Sequence, residues 1–206
     1  MKNPLRYQLS EYDCGPATML NAMSYLFERE QIPPEIIRNI MLYSLDCYGP
    51  DGTSGKSGTS CTAMMFLSNW LQGFGRTGRL PVSGEYLSGE RVYIGDGGTV
   101  NDALRRGGVA VVRLCCEGAH YVLLTGLRGG GVCMFDPYYR TEPFAREDII
   151  MVKDRPLEYN RIVPASCLNS AGDTLYALGR PAEREAVLLF NDLTKLTPDN
   201  TIEYFI

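Results

Sequence analysis

Apolar residues recur at helical spacing early in the chain and give way to β-branched and aromatic runs later. Over CGPATMLNAMSYLFERE, residues 14–30, Ala17, Leu20, Met23 and Phe27 follow a period of three to four, which predicts a helix. Asp13 stands where an N-cap is expected. Pro16 falls in the first turn, where its missing N–H costs no hydrogen bond. Pro33-Pro34 opens a second predicted helix over 34–45, and CTAMMFLSNWLQ predicts a third over 61–72. Between them, the stretch YGPDGTSGKSGTS from Tyr48 to Ser60 is a loop by composition. From Gly73 to Gly98 eight glycines and a proline break the chain, leaving one short strand candidate, Arg91–Ile94. Thr99 is then read as the cap of a short helix, VNDALRR, which Gly107-Gly108 ends.

Beyond residue 108 the period changes. VAVVRLCC, HYVLLTGL and VCMFDPYY are short runs separated by glycine turns, and they predict an antiparallel meander. Ile149–Val152 and Arg161–Cys167 are further strand candidates, as are LYALG, AVLLFN and TIEYFI in the tail. Helices first and strands second is the α+β arrangement, with N-terminal helices packed on an antiparallel sheet.

Composition narrows the function classes. The chain has 206 residues, a formal net charge of -4 and 21% charged residues, so a nucleic-acid partner is not expected. No apolar run approaches the roughly 18 residues of a membrane span, and MKNPLRYQLSEYD has no signal-peptide core, so a cytoplasmic location is expected. Seven cysteines at uneven spacing, with no C-x-x-C pair, fit reduced thiols better than a disulfide framework or a zinc ribbon. Gly55-Lys56-Ser57 resembles the end of a phosphate-binding loop. Pro50 stands where such a loop needs glycine, and no apolar strand leads in, so nucleotide binding is rejected. No cofactor or metal is expected. The chain has one histidine, His120, and any imidazole chemistry must use it.

The candidate chemistry starts at Cys14. A thiol reacts as thiolate, which a helix N-terminus or a neighbouring imidazolium favours. Cys14 has the first by its predicted position, and His120 is the only source of the second. A cysteine–histidine pair usually needs a third group to orient the ring. Asp136 ends the strand after the one that His120 opens. A hairpin turning at Arg128-Gly129-Gly130 brings the start of one beside the end of the other. Gln8, six residues before Cys14, can donate its side-chain amide to a developing oxyanion together with the Cys14 N–H. Tyr138 and Tyr139 are candidates for a groove wall. Cys115-Cys116, Cys61 and Cys133 are read as packing residues.

QLSEYDCGPA, GAHYVLLTGL and FDPYY, in that order and spacing, resemble the motif of papain-fold cysteine peptidases of the C39 type, which include bacteriocin-leader peptidases that cleave after a double glycine. The resemblance covers about residues 7 to 150. It implies a papain-like fold, with Cys14 as nucleophile, His120 as base, Asp136 as the orienting residue and Gln8 as oxyanion donor. It also implies a peptide or protein substrate. Residues 1–155 are then expected to form the peptidase domain, and residues 156–206 a β-rich extension packed on it. The best-known members are fused to a transporter and a nucleotide-binding domain, and this sequence contains neither. Double-glycine specificity therefore does not transfer. Peptide hydrolysis, acyl transfer from the same cysteine, and an idle peptide-binding module all remain open, as does the oligomeric state.

Overall fold

The computed structural model describes residues 1–197. Three helices come first: α1 (Cys14–Leu26), α2 (Pro34–Ser44) and α3 (Cys61–Arg76). Strand β1 (Val82–Ser88) and helix α4 (Thr99–Arg105) follow. Then come β2 (Val109–Cys115), β3 (Ala119–Arg128) and β4 (Gly131–Phe135). The chain closes with β5 (Ile150–Met151), β6 (Arg161–Pro164), the single-turn α5 (Ala165–Leu168) and β7 (Glu185–Asn191). The class is α+β: one seven-stranded sheet, antiparallel throughout, in the order β1-β7-β2-β3-β4-β6-β5.

The sheet is covered on both faces, which explains why its central strands read as unbroken apolar runs. Val109, Val111, Leu123, Val187 and Leu189 meet Met19, Met23, Ile40, Met64 and Leu67 of the first three helices. The alternate residues Ala110, Val112, Val122, Leu124, Ala186 and Leu188 meet Val100, Ala103 and Leu168. All seven residues of β7 are buried, between β1 on one side and β2 on the other.

Several local expectations need correction. Residues 91–94 are not a strand, and the strand of this region is β1, about ten residues earlier. Val92 and Ile94 are buried, but the backbone of Ile94 bonds to a side chain. Its N–H donates to Asn169 Oδ1 at 3.0 Å, and its carbonyl accepts from Asn169 Nδ2 at 2.7 Å. Thr99 is the first residue of α4 and Gly98 its N-cap. The helix starting at Cys14 stops at Leu26, and a separate 3₁₀ turn covers Arg29–Gln31. LYALG forms no strand, whereas AVLLFN falls within β7. The candidate strand TIEYFI lies outside the described residues.

Two features seat α1 against the sheet. Thr18 Oγ1 donates to the carbonyl of Tyr121 at 3.0 Å, fixing the helix to β3 one residue beyond His120. Tyr121 is anchored in turn, because its hydroxyl donates to the buried Glu185 at 2.8 Å. Glu185 also pairs with Arg113 Nε at 2.7 Å. Among the described residues no helix is long and apolar enough to cross a membrane.

Candidate active site

Cys14 is the first residue of α1 and is 7% exposed. Asp13 precedes it in the N-cap position, but its carboxylate does not cap the helix. It turns back instead, accepting from Leu9 N–H at 2.9 Å and from the Ser10 N–H at 2.6 Å and hydroxyl at 2.7 Å. The effect is to fold residues 8–13 into a tight bend that carries Gln8 to the helix start. Gly15 allows a close approach on the other side. A Cβ there would lie 2.2 Å from Thr59 Oγ1, so only glycine lets the 48–60 loop press on the first turn.

The extended segment before Gln8 is held by Asn21 of α1, whose side chain accepts from Arg6 N–H and donates to Arg6 O, both at 2.8 Å. Gln8 N–H donates to the carbonyl of Pro137 at 2.9 Å, tying this segment to the turn that holds Asp136. The Gln8 side chain lines one cavity of about 320 Å³ with Cys14, His120, Asp136 and Tyr138. Its Nε2 donates to Ser10 O at 2.7 Å. An amide nitrogen has two hydrogens, so one remains for a ligand.

The hairpin of β3 and β4 turns through Gly129 and Gly130, both at positive φ. A register shift between Leu124 and Gly126 sets Leu123 opposite Phe135. Asp136 then lies diagonally across from His120 on the same face, and its Oδ1 is 2.8 Å from His120 Nε2. With Nε2 engaged, Nδ1 is the ring nitrogen left to face Cys14. Burial alone would lower the pKa of His120. Hydrogen bonds with Asp136 and Cys14, and the negative charge of both, overcome it and push the ring up to about 9. Burial likewise opposes the Asp136 carboxylate. The His120 bond and charge, and donors from Tyr176 and Tyr138 N–H, outweigh it and hold its pKa below the usual carboxylate range.

Two residues of this site carry no sequence signal. Tyr176 donates its hydroxyl to Asp136 Oδ2 at 2.6 Å. It is buried at φ +62, a conformation unusual for tyrosine, and is held there by its N–H, which donates to the Cys115 carbonyl at 2.8 Å, and by the next residue, Ala177, whose N–H donates to the Thr174 carbonyl at 2.9 Å. Asn160 clamps the Asp136 backbone from both sides, accepting from its N–H and donating to its carbonyl, both at 2.8 Å. Cys116 also differs from expectation, since it lines the same cavity as Cys14. Burial, with the charges of Asp136 and Glu117, pushes its thiol up to about 11, so it stays protonated at neutral pH. Of the tyrosine pair, Tyr138 is on the cavity wall, while Tyr139 packs edge-on against Tyr7 with ring centres 4.9 Å apart.

The cavity runs on beyond His120. A larger space of about 750 Å³ shares Glu117, Gly118, Ala119, Arg140 and Phe144 with it. The two spaces therefore adjoin along residues 117–119 and at Arg140 and Phe144. Among the described residues no group of three or more histidine, cysteine or carboxylate side chains is placed to hold a metal ion. Compared with known proteins, the chain matches no family model and no curated protein.

Proposed function

We propose that the chain is a cysteine peptidase of the C39-like, papain-fold type that acts on a peptide or protein in the cytoplasm. The observation that carries this reading is the convergence of Cys14, His120, Asp136 and Gln8 on one cavity at the start of α1. Any thiol–imidazole pair must use His120, the chain's one histidine, and of the two thiols on that cavity Cys14 is the one that partners the ring, while Cys116 stays protonated.

The chemistry follows from the protonation state. At neutral pH the His120 ring carries both protons, one directed at Asp136 and one available to Cys14. The Cys14 thiolate attacks the substrate carbonyl carbon, forming a C–S bond and an oxyanion. The Cys14 N–H, at a helix start where backbone donors lack intrahelical partners, and the free Gln8 amide hydrogen stabilise that oxygen. Collapse breaks the C–N bond, and the leaving amine takes the His120 proton. Neutral His120 then removes a proton from water. The hydroxide adds to the thioester, the C–S bond breaks, and the acid leaves. Asp136 holds the ring in place through both halves, and Tyr176 and Asn160 hold Asp136.

The test is covalent labelling with an electrophilic peptidyl probe, read by intact mass and peptide mapping. The expected result is one adduct at Cys14, absent in Cys14→Ala and at least tenfold slower in His120→Ala. Labelling undiminished in Cys14→Ala contradicts the assignment.

A further inference from the structure

Behind Asp136 lies a third cavity, of about 280 Å³, whose wall has an unusual charge balance. Arg140, Lys153, Arg155 and Arg161 line it, and among the described residues no aspartate or glutamate does, although the chain carries a formal net charge of -4. Arg161 is 2% exposed. Its Nη1 donates to Asn160 O at 2.9 Å, but its Nε and Nη2 have no hydrogen-bond partner among the described residues. The guanidinium stacks on Phe144 and lies beside the Tyr176 hydroxyl, which itself donates to Asp136 Oδ2. Of the other cations, Arg140 also stacks on Phe144, and Arg155 makes one loose contact, 3.3 Å, with the half-exposed Glu158.

A buried guanidinium with no carboxylate paired directly to it among the described residues is costly, and three more cations around the same cavity add like-charge repulsion. We infer that the cavity binds an anion bearing a carboxylate or phosphate group, which supplies the missing countercharge. Its position gives the site a consequence. The cavity wall includes Tyr7, Phe135 and Asn160: the neighbours of Gln8 and Asp136, and the clamp on Asp136. Arg140 also lines the Cys14 cavity. An anion here braces the elements that hold the catalytic groups. It can be a free small anion or an acidic side chain of the substrate.

The test is thermal unfolding of the full chain at fixed ionic strength, with inorganic phosphate, with a short peptide containing one glutamate, and with the same peptide containing glutamine. The expected result is a saturable rise in Tm, ~3–5 °C at ten times Kd, with phosphate, with the glutamate peptide or with both. Lys153→Met combined with Arg155→Met should abolish it while leaving probe labelling of Cys14 in place. A rise with phosphate identifies a free anion as a ligand, and a rise confined to the glutamate peptide identifies a substrate side chain. No rise with either, a rise matched by sodium chloride or the glutamine peptide, or a rise that survives in the double variant overturns the proposal. Because the readout needs no turnover, its failure leaves the peptidase reading standing, and failure of Cys14 labelling leaves the anion site standing.

Discussion

At the scale of single residues, His120 is caught between burial, which disfavours its charge, and two partners, Asp136 and Cys14, which favour it. Because the partners prevail, the ring should keep its proton until the pH rises through about 9. The alkaline limb of kcat/KM should therefore lie near there. In Asp136→Asn it should move down towards the ordinary 6.5, as a pH–rate profile on a fluorogenic peptide would show. Gln8→Ala should slow the same reaction roughly 100- to 1,000-fold, the usual effect of losing one oxyanion donor, while the unfolding temperature holds. Tyr176→Phe removes a donor to a buried carboxylate and keeps the ring. It should cost about 1.5–3 kcal/mol in urea unfolding.

At the scale of elements, the start of α1 depends on a contact with a loop about 45 residues further along the chain. Gly15→Ala drives a methyl into Thr59. It should cost about 1–3 kcal/mol of stability by overpacking, and should slow probe labelling as the helix start shifts. Much of this level was legible in the sequence. α1, α2 and α3 announce themselves by period and proline, and the β2-β3-β4 meander by its glycine turns. That hairpin, read from the turn at Arg128-Gly129-Gly130, places His120 beside Asp136 because local spacing controls it. What stayed hidden depends on distant partners. β1 carries Gly84 and Glu85 and looks like a loop, and only its ladder with β7, about a hundred residues on, makes it a strand. Asn21, Asn160 and Asn169 act as side-chain substitutes for a strand neighbour, which no local pattern betrays. Tyr176 lies outside the stretch that resembles a known motif, and only the folded chain brings it to Asp136.

At the scale of the whole molecule, both cores and the candidate site hang on one sheet, and protonation of the site is linked to stability. A histidine whose pKa is raised on folding contributes stability that is complete below the ordinary 6.5 and is lost as pH rises through about 9. Asp136, held low, contributes stability that is complete above the ordinary 3.8 and is lost as pH falls through its depressed value. The plateau between these limits should narrow on the alkaline side in Cys14→Ala, as urea midpoints across pH would show. The most direct measurement uses the fact that the chain has one histidine. Its ring can be titrated by NMR without assignment, in the wild type and in Cys14→Ala. A midpoint near 9 that falls when the sulfur is removed is the result expected of a ring held between Cys14 and Asp136. A midpoint near 6.5 that ignores the substitution would contradict it.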